Sequence, residues 1–218
     1  MTFYGNFAPK QGYYGQFSTD ALIELYFPDK VDGVCVEVGA ANGVRGSNTL
    51  LFEKKGWRTL CIEPNPEYFQ EVKKIRKEAV QYACGASNKK SIPFTVFKIG
   101  DNNIMSSLSG LKPDARLIEE YDNIINDTYQ INVECKTLNS LLLQEGFPDD
   151  IDFISIDTEG SELDVLKGAM LNHWNIKVLV VENNYNDSEI EEYLKTEGYY
   201  KDARWKINDF YVKEEKNE

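Results

Sequence analysis

The sequence is poor in the residues that build metal centres and disulfide frameworks. It has one histidine and four cysteines, and the cysteines lack the paired spacing of a zinc site or a redox motif. It also lacks an apolar run long enough to span a membrane, and its first residues, MTFYGNFAPKQGYYGQF, do not follow the order of a signal peptide. These absences predict a soluble, cytoplasmic protein with reduced core thiols at Cys35, Cys61, Cys84 and Cys135.

Positive charge is scarce as well. The 24 Lys and Arg residues face 36 Asp and Glu residues, which gives a formal net charge of -12. Such a balance disfavours phosphate backbones and anionic membrane surfaces, so neither nucleic acid nor membrane is predicted as a partner. At 218 residues the chain is predicted to form one domain over 1–218, with an N-terminal arm and helix in 1–30 and a flexible tail in 213–218.

Strands alternate with helices along most of the chain. The runs VCVEVGA, RTLCIEP, AVQYACG, IDFISID and KVLVVE predict strands, and SNTLLFEKKG, PEYFQEVKKIRK and SELDVLKGAM predict helices. Ser47 is the predicted N-cap of the first of these helices and Gly56 its end, while Ser161 and Asp164 resemble a capping box. The stretches YLKTEGYY and INDFYVK predict a helix end and an antiparallel edge hairpin. This order predicts an α/β fold with a mostly parallel sheet and helices on both faces.

Acidic residues recur where the predicted strands end. Glu37, Glu63, Asp157 and Glu182 each lie at or near the end of a different strand. Ligands of parallel sheets bind beyond the carboxyl ends of the strands, so these carboxylates are predicted to share one rim. One strand-end acid is typically a solvated cap, but four together favour a cation or a set of hydroxyl donors.

The turn after the first strand narrows the choice of ligand. Gly39 and Gly43 permit a tight turn, but Ala41 stands where a dinucleotide fingerprint has glycine, and no GxxxxGK[ST] phosphate loop is present. Glu63 follows about 20 residues later, where an acid accepts hydrogen bonds from a ribose diol. This favours S-adenosylmethionine, which has a ribose and an ammonium group but no phosphate. An NAD-binding oxidoreductase and a catalytically silent binding module are the alternatives.

Three stretches resemble the FkbM family of S-adenosylmethionine-dependent methyltransferases: VCVEVGAANGVRGSNTLLFEKKGWRTLCIEPNPEYF, DFISIDTEGSELDVLKGA and VLVVENN. YYGQFSTDALIELYFP resembles the Gln-containing lead-in of that family, with Ser18 and Thr19 in place of a common Gly-Glu pair. The resemblance implies a Rossmann-like class I methyltransferase with a seven-stranded sheet. It also implies that S-adenosylmethionine methylates a hydroxyl of a sugar, glycan or similar small polyhydroxylated metabolite, leaving S-adenosylhomocysteine.

The candidate cofactor-binding residues come from the glycine turn, the strand ends and the stretches that carry the resemblance. Glu37 is expected to hold the amino-acid end of the cofactor, and Ala86 and Ser87 to meet the adenine. The full set is Gln16, Glu37, Gly39, Asn42, Gly43, Glu63, Pro64, Ala86, Ser87 and Asp157.

Methyl transfer is an in-line displacement, which needs a positioned acceptor and, for a hydroxyl, a base. Asp157, Glu159 and Glu182 are the candidate catalytic residues, and the polar segment 100–127 is the candidate acceptor-side lid. His173 follows a helix and is predicted to be a surface residue. No metal ion is predicted, because neither a histidine nor a third clustered acid completes a ligand set. A divalent cation held by carboxylates is the alternative.

Overall fold

A computed structural model describes the backbone of residues 10–100, 104–105 and 108–214, with their side chains except at 104–105. The first nine residues of the predicted arm, parts of the predicted lid and the end of the predicted tail lie outside the described residues. Within that part of the chain, no helix is long and apolar enough to cross a membrane.

The elements alternate along the chain as the sequence predicts. The strands are β1 (Val34–Val38), β2 (Arg58–Ile62), β3 (Glu78–Val80), β4 (Ala83–Cys84), β5 (Lys89–Ile99), β6 (Ile104–Met105), β7 (Ile125–Lys136), β8 (Asp150–Ile156), β9 (Asn175–Glu182), β10 (Tyr199–Trp205) and β11 (Asn208–Lys213). The α-helices are α1 (Thr19–Tyr26), α2 (Leu50–Lys54), α3 (Pro66–Ile75), α4 (Ala115–Tyr121), α5 (Leu138–Gln144), α6 (Glu162–Lys167) and α7 (Ser188–Thr196).

The main sheet has seven strands in the order β10-β11-β9-β8-β1-β2-β3. The strands from β3 to β9 in that order run parallel, and β11 pairs antiparallel with both β9 and β10. The predicted fold class and edge hairpin are therefore confirmed. Strand order reverses beside β1, because the chain moves first to β2 on one side and later to β8 on the other. Such a reversal opens a crevice at the carboxyl ends of the strands.

Helices cover both faces of this sheet. One face packs against α5, α6 and α7, around the fully buried Trp174 and Tyr211. The other face packs against α1 and α2, where the Phe153 ring contacts Phe27 and Phe52. Side chains alternate along a strand, so Glu37 lies on this second face of β1. The four cysteines are free and buried, as predicted.

A second, four-stranded sheet is inserted between β3 and β8, in the order β4-β7-β5-β6. The prediction of one strand over AVQYACG is wrong, because β3 pairs with β2 in the main sheet while β4 pairs with β7 in the second one. Gln81 and Tyr82 lie between the two pieces. An apolar run indicates extended backbone, but it does not indicate which sheet supplies the partner strand.

Two predicted boundaries are also corrected. The first helix begins at Leu50, later than the predicted start after Ser47. The Ser47 hydroxyl nevertheless accepts hydrogen bonds from the backbone N–H groups of Thr49 and Leu50, as the predicted N-cap side chain does. Gly56 ends this helix region with a φ of +98°, as predicted. The predicted tail starts too early, because Lys213 still belongs to β11.

Candidate functional site

The turn after β1 is shaped by backbone contacts. Gly39 N and Ala40 N both donate to the Ile62 carbonyl oxygen, at 3.0 and 3.1 Å. Gly39 has a φ of +87°, and a Cβ at this position would lie 1.7 Å from the Asp157 carbonyl oxygen. Glycine is therefore required by the neighbouring strand end, whatever the ligand. Its contact with the cofactor stays a prediction.

Glu63 lies directly after β2 with 4% of its surface exposed. Its Oε2 accepts from Ala41 N and its Oε1 from Asn65 N, both at 2.8 Å. The first bond holds Ala41 in a left-handed conformation with a φ of +45°. Burial raises the pKa of Glu63 to about 8, and the two N–H donors oppose that rise. Each oxygen keeps a second acceptor position, as a ribose diol requires.

Glu37 is bonded within the protein on all sides. Its carboxylate accepts from Ser47 Oγ at 2.8 Å, Asn48 N at 2.7 Å, Thr49 Oγ1 at 2.9 Å and Arg76 Nη1 at 3.1 Å. These donors explain how a buried acid is tolerated in an apolar strand. The contact of Glu37 with the amino-acid end of the cofactor stays a prediction, and its observed bonds instead join the segment after the glycine turn.

Asn42 and Gly43 complete the turn. Asn42 Oδ1 accepts from Val44 N at 3.1 Å and from Arg45 N at 2.9 Å, which is a local Asx-type turn. Gly43 has a φ of +78°, and a Cβ there would lie 3.2 Å from Arg76 Cγ. The structure thus brings both residues to the predicted turn, and their cofactor contacts stay predictions.

Gln16 starts a 3-10 helix that ends at Ser18. The arm is attached to the loop that follows the turn, because Gly46 N donates to the Tyr14 carbonyl oxygen at 3.0 Å. Ser18 has a φ of +59°. Residues with a side chain rarely adopt this conformation.

The remaining cofactor candidates follow β2 and β4. Pro64 comes directly after Glu63 and precedes Asn65, the N-cap residue of α3. Ala86 and Ser87 are exposed in the loop between β4 and β5. Their contact with the adenine stays a prediction.

Asp157, Glu159 and Glu182 converge at the ends of β8 and β9. One carboxylate oxygen of each lies within 4.8 Å of the others. Glu182 is buried, and the other two are partly exposed. A group of this kind could hold a metal ion, so the argument that no third acid completes a set is wrong: the neighbouring strand supplies it. The prediction that no metal is bound stays a prediction.

Glu162 fixes the loop that carries Glu159. Its carboxylate accepts from Thr158 N at 2.8 Å, Thr158 Oγ1 at 3.0 Å and Gly160 N at 3.1 Å. These bonds hold Glu159 at a φ of +59°, a strained conformation for a residue with a side chain. The predicted capping box is wrong, because Ser161 makes no side-chain cap and Glu162 accepts from the preceding loop instead.

The electrostatics of this cluster favour the uptake of a proton or a cation. Burial raises the pKa of Asp157 to about 7, the Glu162 and Glu37 carboxylates add to the rise, and the hydrogen bond with Glu182 opposes it. Burial and then the neighbouring carboxylates raise the pKa values of Glu159 and Glu182. Within the described part of the chain, no Lys or Arg forms an ion pair with the three.

A cavity of about 220 Å³ is lined by two of these acids, Glu159 and Glu182. Arg116 of α4 closes one side of it: its guanidinium carbon stacks 4.0 Å from the Tyr185 ring centroid, and its nitrogens donate to the Asp187 carboxylate at 3.0 and 2.5 Å. The helical part of the predicted lid 100–127 therefore lies next to the cluster. Residues 101–103 and 106–107 of that lid lie outside the described residues. The lining includes Glu159, Glu182, Asn184 and Leu117.

Other polar residues at this end of the sheet are used differently from what the sequence suggests. Asn183 and Asn184 are both expected to bind sugar hydroxyls. Asn183 is buried, and its amide donates to the Asp187 carbonyl oxygen and to Asp209 Oδ2 and accepts from Asp187 N. Both residues line the cavity, but the Asn183 amide already makes these bonds within the protein.

Two further features lie away from the rim. His173 is exposed before β9, with its ring 4.8 Å from that of Trp174, so the prediction of a surface residue is confirmed. A larger cavity, of about 390 Å³, is lined by Lys30 and Trp57 at the amino-terminal end of β2. It lies at the opposite end of the parallel strands from the four acids.

Sequence reasoning missed the residues that hold the site in shape. Arg76 stands in the basic run KKIRK, which has the pattern of a solvated helix end, yet its side chain is fully buried. Arg116 and Glu162 likewise stand in charged helical stretches. Nothing in their local pattern indicates a role: Arg76 and Arg116 bind acids from distant parts of the chain. Glu162 accepts from the loop just before its own helix, and only the fold shows the shape of that loop.

Comparison with known proteins agrees with this geometry. The sequence profile of the methyltransferase FkbM domain matches residues 37–201. The methyltransferase sdnD of Sordaria araneosa is 33% identical over 92 residues, which cover 37% of this chain and 36% of that protein. Methyltransferase 1 of Beauveria bassiana (strain ARSEF 2860) is 26% identical over 168 residues, covering 69% of this chain and 63% of that protein. The chain thus spans less than two thirds of the length of both relatives.

A solved structure shares the fold. The METTL16 MTase domain superposes with a TM-score of 0.52 at 12% identity, over 90% of this chain and 65% of that one. The main sheet and its helices are accordingly those of a Rossmann-like class I methyltransferase. Since the domain profile runs from Glu37 in β1 into β10 and includes the glycine turn and the acidic cluster, the chain belongs to the FkbM family of S-adenosylmethionine-dependent methyltransferases.

Proposed function

We propose that the protein is an O-methyltransferase that transfers a methyl group from S-adenosylmethionine to a hydroxyl of a sugar, glycan or similar small polyhydroxylated metabolite. The observation that carries the proposal is the convergence of Asp157, Glu159 and Glu182 beside a cavity at the rim where Glu63 also lies. A hydroxyl acceptor needs orientation and a proton acceptor, and a carboxylate cluster supplies both.

The residues of the glycine turn fit the cofactor. Glu63 is buried and keeps two acceptor positions for ribose hydroxyls, and the turn from Gly39 to Gly43 presents backbone instead of bulky side chains. When bound, the cofactor supplies a methyl group on a positively charged sulfur. Asp157 follows β8 next to this turn, because its N–H donates to the Val38 carbonyl oxygen at 3.0 Å. It therefore lies between the proposed cofactor side and the acceptor cavity.

Asp157 is the proposed base. Its pKa, raised to about 7, matches a group that must accept a proton near neutral pH. Asp157 would accept the hydrogen bond and then the proton of the acceptor hydroxyl, as the carbon–oxygen bond formed, the carbon–sulfur bond broke and S-adenosylhomocysteine was released. Glu159 and Glu182 orient the acceptor through its other hydroxyls, while the Glu162 and Glu37 carboxylates favour the protonated form of Asp157.

The cavity supports a small acceptor without negative charge. Its volume of about 220 Å³ lies below the range typical of drug-sized ligands, which favours one small ring. Carboxylates dominate its lining, and the nearby Arg116 is already paired with Asp114 and Asp187. Neutral and amino sugars therefore suit it, whereas phosphorylated or carboxylated acceptors meet repulsion.

The test combines binding with turnover. Calorimetric titration with S-adenosylhomocysteine and with NAD identifies the cofactor class, and methyl transfer is then measured with neutral sugars, amino sugars, sugar phosphates and an RNA oligonucleotide. Asp157→Asn should lower the single-turnover rate by about a hundredfold to ten-thousandfold while S-adenosylhomocysteine affinity stays nearly unchanged. Glu119→Gln, at an exposed acid of α4, is the matched control and should keep the full rate.

Three results would contradict the proposal. If the protein bound NAD and not S-adenosylhomocysteine, the proposed cofactor would be wrong. If only the RNA or the sugar phosphates were methylated, the proposed class of acceptor would be wrong. If the Asp157→Asn variant turned over at the normal rate, Asp157 would not be the base. Each reaction is also run with a chelator and with added Mg²⁺ or Mn²⁺. Activity that disappears with the chelator and returns with the metal would make the three carboxylates ligands of a cation that activates the hydroxyl.

A further inference from the structure

Arg76 is a fully buried arginine that none of the site motifs includes. It follows α3 in the chain, and its backbone N–H still donates to the Val72 carbonyl oxygen at 2.8 Å. Its side chain has no exposed surface. A buried guanidinium is stable only when its donors and its charge are matched, so the partners of Arg76 indicate what the residue holds.

Those partners come from the segment that begins at the glycine turn. Arg76 Nη1 lies 3.1 Å from the Gly43 carbonyl oxygen and 3.1 Å from Ser47 Oγ, and Nη2 donates to Thr49 Oγ1 at 2.8 Å. The contacts thus run from the last glycine of the turn to the residue before α2. A second set of contacts, to two carboxylates, balances the charge.

Glu37 and Glu53 supply those carboxylates. Arg76 Nη1 donates to Glu37 at 3.1 Å and Nε to Glu53 at 2.9 Å. Burial opposes the charged guanidinium, but the two carboxylates outweigh it and raise the pKa of Arg76 above its ordinary value. Glu37 in turn accepts from Asn48 N and Thr49 Oγ1. Arg76 and Glu37 therefore grip the same segment from two sides.

Arg76 packs closely against the glycine turn. A Cβ on Gly43 would lie 3.2 Å from Arg76 Cγ, so the arginine stem directly supports the glycine turn. Loss of the guanidinium would leave Glu37 and Glu53 buried without their cation. The simplest relaxation is movement of the segment from Gly43 to Thr49, whose hydrogen bonds converge on that cation.

We infer that Arg76 is a positioning residue for cofactor binding, which holds the segment 39–49 in its binding shape through Glu37 and the Gly43 backbone. This inference rests on the proposed cofactor site. Glu37 then supports affinity by fixing the segment, and the amino-acid end of the cofactor is held by other groups. If removal of Arg76 leaves the competent shape populated in only about a tenth of the molecules, the dissociation constant rises about tenfold.

The experiment uses Arg76→Lys, Arg76→Gln, Glu37→Gln and the Glu37→Gln/Arg76→Gln double variant. Arg58→Gln is the matched control, because Arg58 also pairs with a carboxylate, Glu78, but lies at the start of β2. Calorimetry, at a temperature where circular dichroism shows each protein to be folded, measures binding of S-adenosylhomocysteine and of 5′-methylthioadenosine, which lacks the amino-acid end.

Both Arg76 variants should weaken both ligands by about tenfold or more, while Arg58→Gln binds normally. The KM for S-adenosylmethionine should rise while kcat at saturating cofactor stays within a few fold, a separation that general destabilisation does not produce. The double variant should be no worse than the weaker-binding single variant, because both act on one segment. Arg76→Lys keeps the charge and serves as the test if Arg76→Gln does not fold.

A folded Arg76 variant that binds both ligands like the wild type would overturn the inference. So would a Glu37→Gln protein that loses affinity for S-adenosylhomocysteine but binds 5′-methylthioadenosine normally, since Glu37 would then contact the amino-acid end directly. A wild-type protein that binds neither ligand would refute the proposed function, and the inference with it. That outcome is distinct from the first two.

Discussion

The ionisation of Glu63 should set the pH dependence of cofactor affinity. Burial raises its pKa to about 8, against the opposing bonds from Asn65 and Ala41. At pH 7 this group is therefore protonated in about nine molecules of ten. Ribose hydroxyls donate to the carboxylate form, so binding at pH 7 should release close to one proton.

The magnitude follows from the same pKa. Because the free protein holds the proton and the complex does not, affinity should increase with pH, by about tenfold or 1.4 kcal/mol for each unit below pH 8, and then level off. The stability of the fold should depend on pH in the opposite direction. The pKa of Glu63 rises from its ordinary value of 4.5 to about 8 on folding, so the ligand-free fold loses stability as pH increases through that window.

Calorimetry in buffers of different ionisation enthalpy counts the released protons directly. Glu63→Gln should lower S-adenosylhomocysteine affinity by about 1–3 kcal/mol at pH 8.5, with a much smaller loss at pH 6 and a flat profile between them. The amino group of the ligand titrates equally in both proteins, so it cancels in the comparison. A proton count near zero for the wild type at pH 7, or the same pH slope in Glu63→Gln, would refute the reasoning.

Two further predictions concern the glycine turn and the roof of the cavity. Gly39→Ala should lower the free energy of unfolding, measured by chemical denaturation, by more than about 3 kcal/mol, because the new Cβ would meet the Asp157 carbonyl oxygen. Gly46 has a φ of +78° but open space around it, so Gly46→Ala should lower the free energy of unfolding much less. Equal losses in the two variants would show that the backbone φ alone decides the cost. Arg116→Ala should raise the KM for the acceptor several fold, because it releases α4 from Asp187. The affinity for S-adenosylhomocysteine should not change. If only the cofactor affinity changed, α4 would belong to the cofactor side of the site and not to the acceptor side.

The main architecture was available from the sequence because it depends on local periodicity. Alternating apolar strands and amphipathic helices predict a parallel sheet with helices on both faces, and the closing hairpin follows from the same patterns. The inserted sheet was partly missed. The run AVQYACG has one continuous strand pattern, yet its two halves pair with β2 and β7, and only the partners distinguish them.

Part of the candidate site could likewise be predicted from the sequence, and part depended on the tertiary structure. The acids at strand ends were found because parallel strands carry their carboxyl ends to one rim, so Asp157 and Glu182 were expected to be near each other. All three acids were candidate catalytic residues, but the sequence did not reveal that they would form one group in which a carboxylate oxygen of each lies within 4.8 Å of the others. That arrangement depends on a left-handed residue and on the bonds that Glu162 makes with its loop.

Glu37 shows most clearly how far the sequence alone can predict the site. The sequence by itself determined that a carboxylate interrupts a buried strand and must be satisfied, since the cost of burying an unpaired charge is independent of the fold. Only the tertiary structure decided what satisfies it: Arg76, 39 positions away, together with Ser47 and Thr49. The physical reason is that burial demands a partner wherever the acid lies, whereas the identity of that partner depends on how α3 packs against the turn.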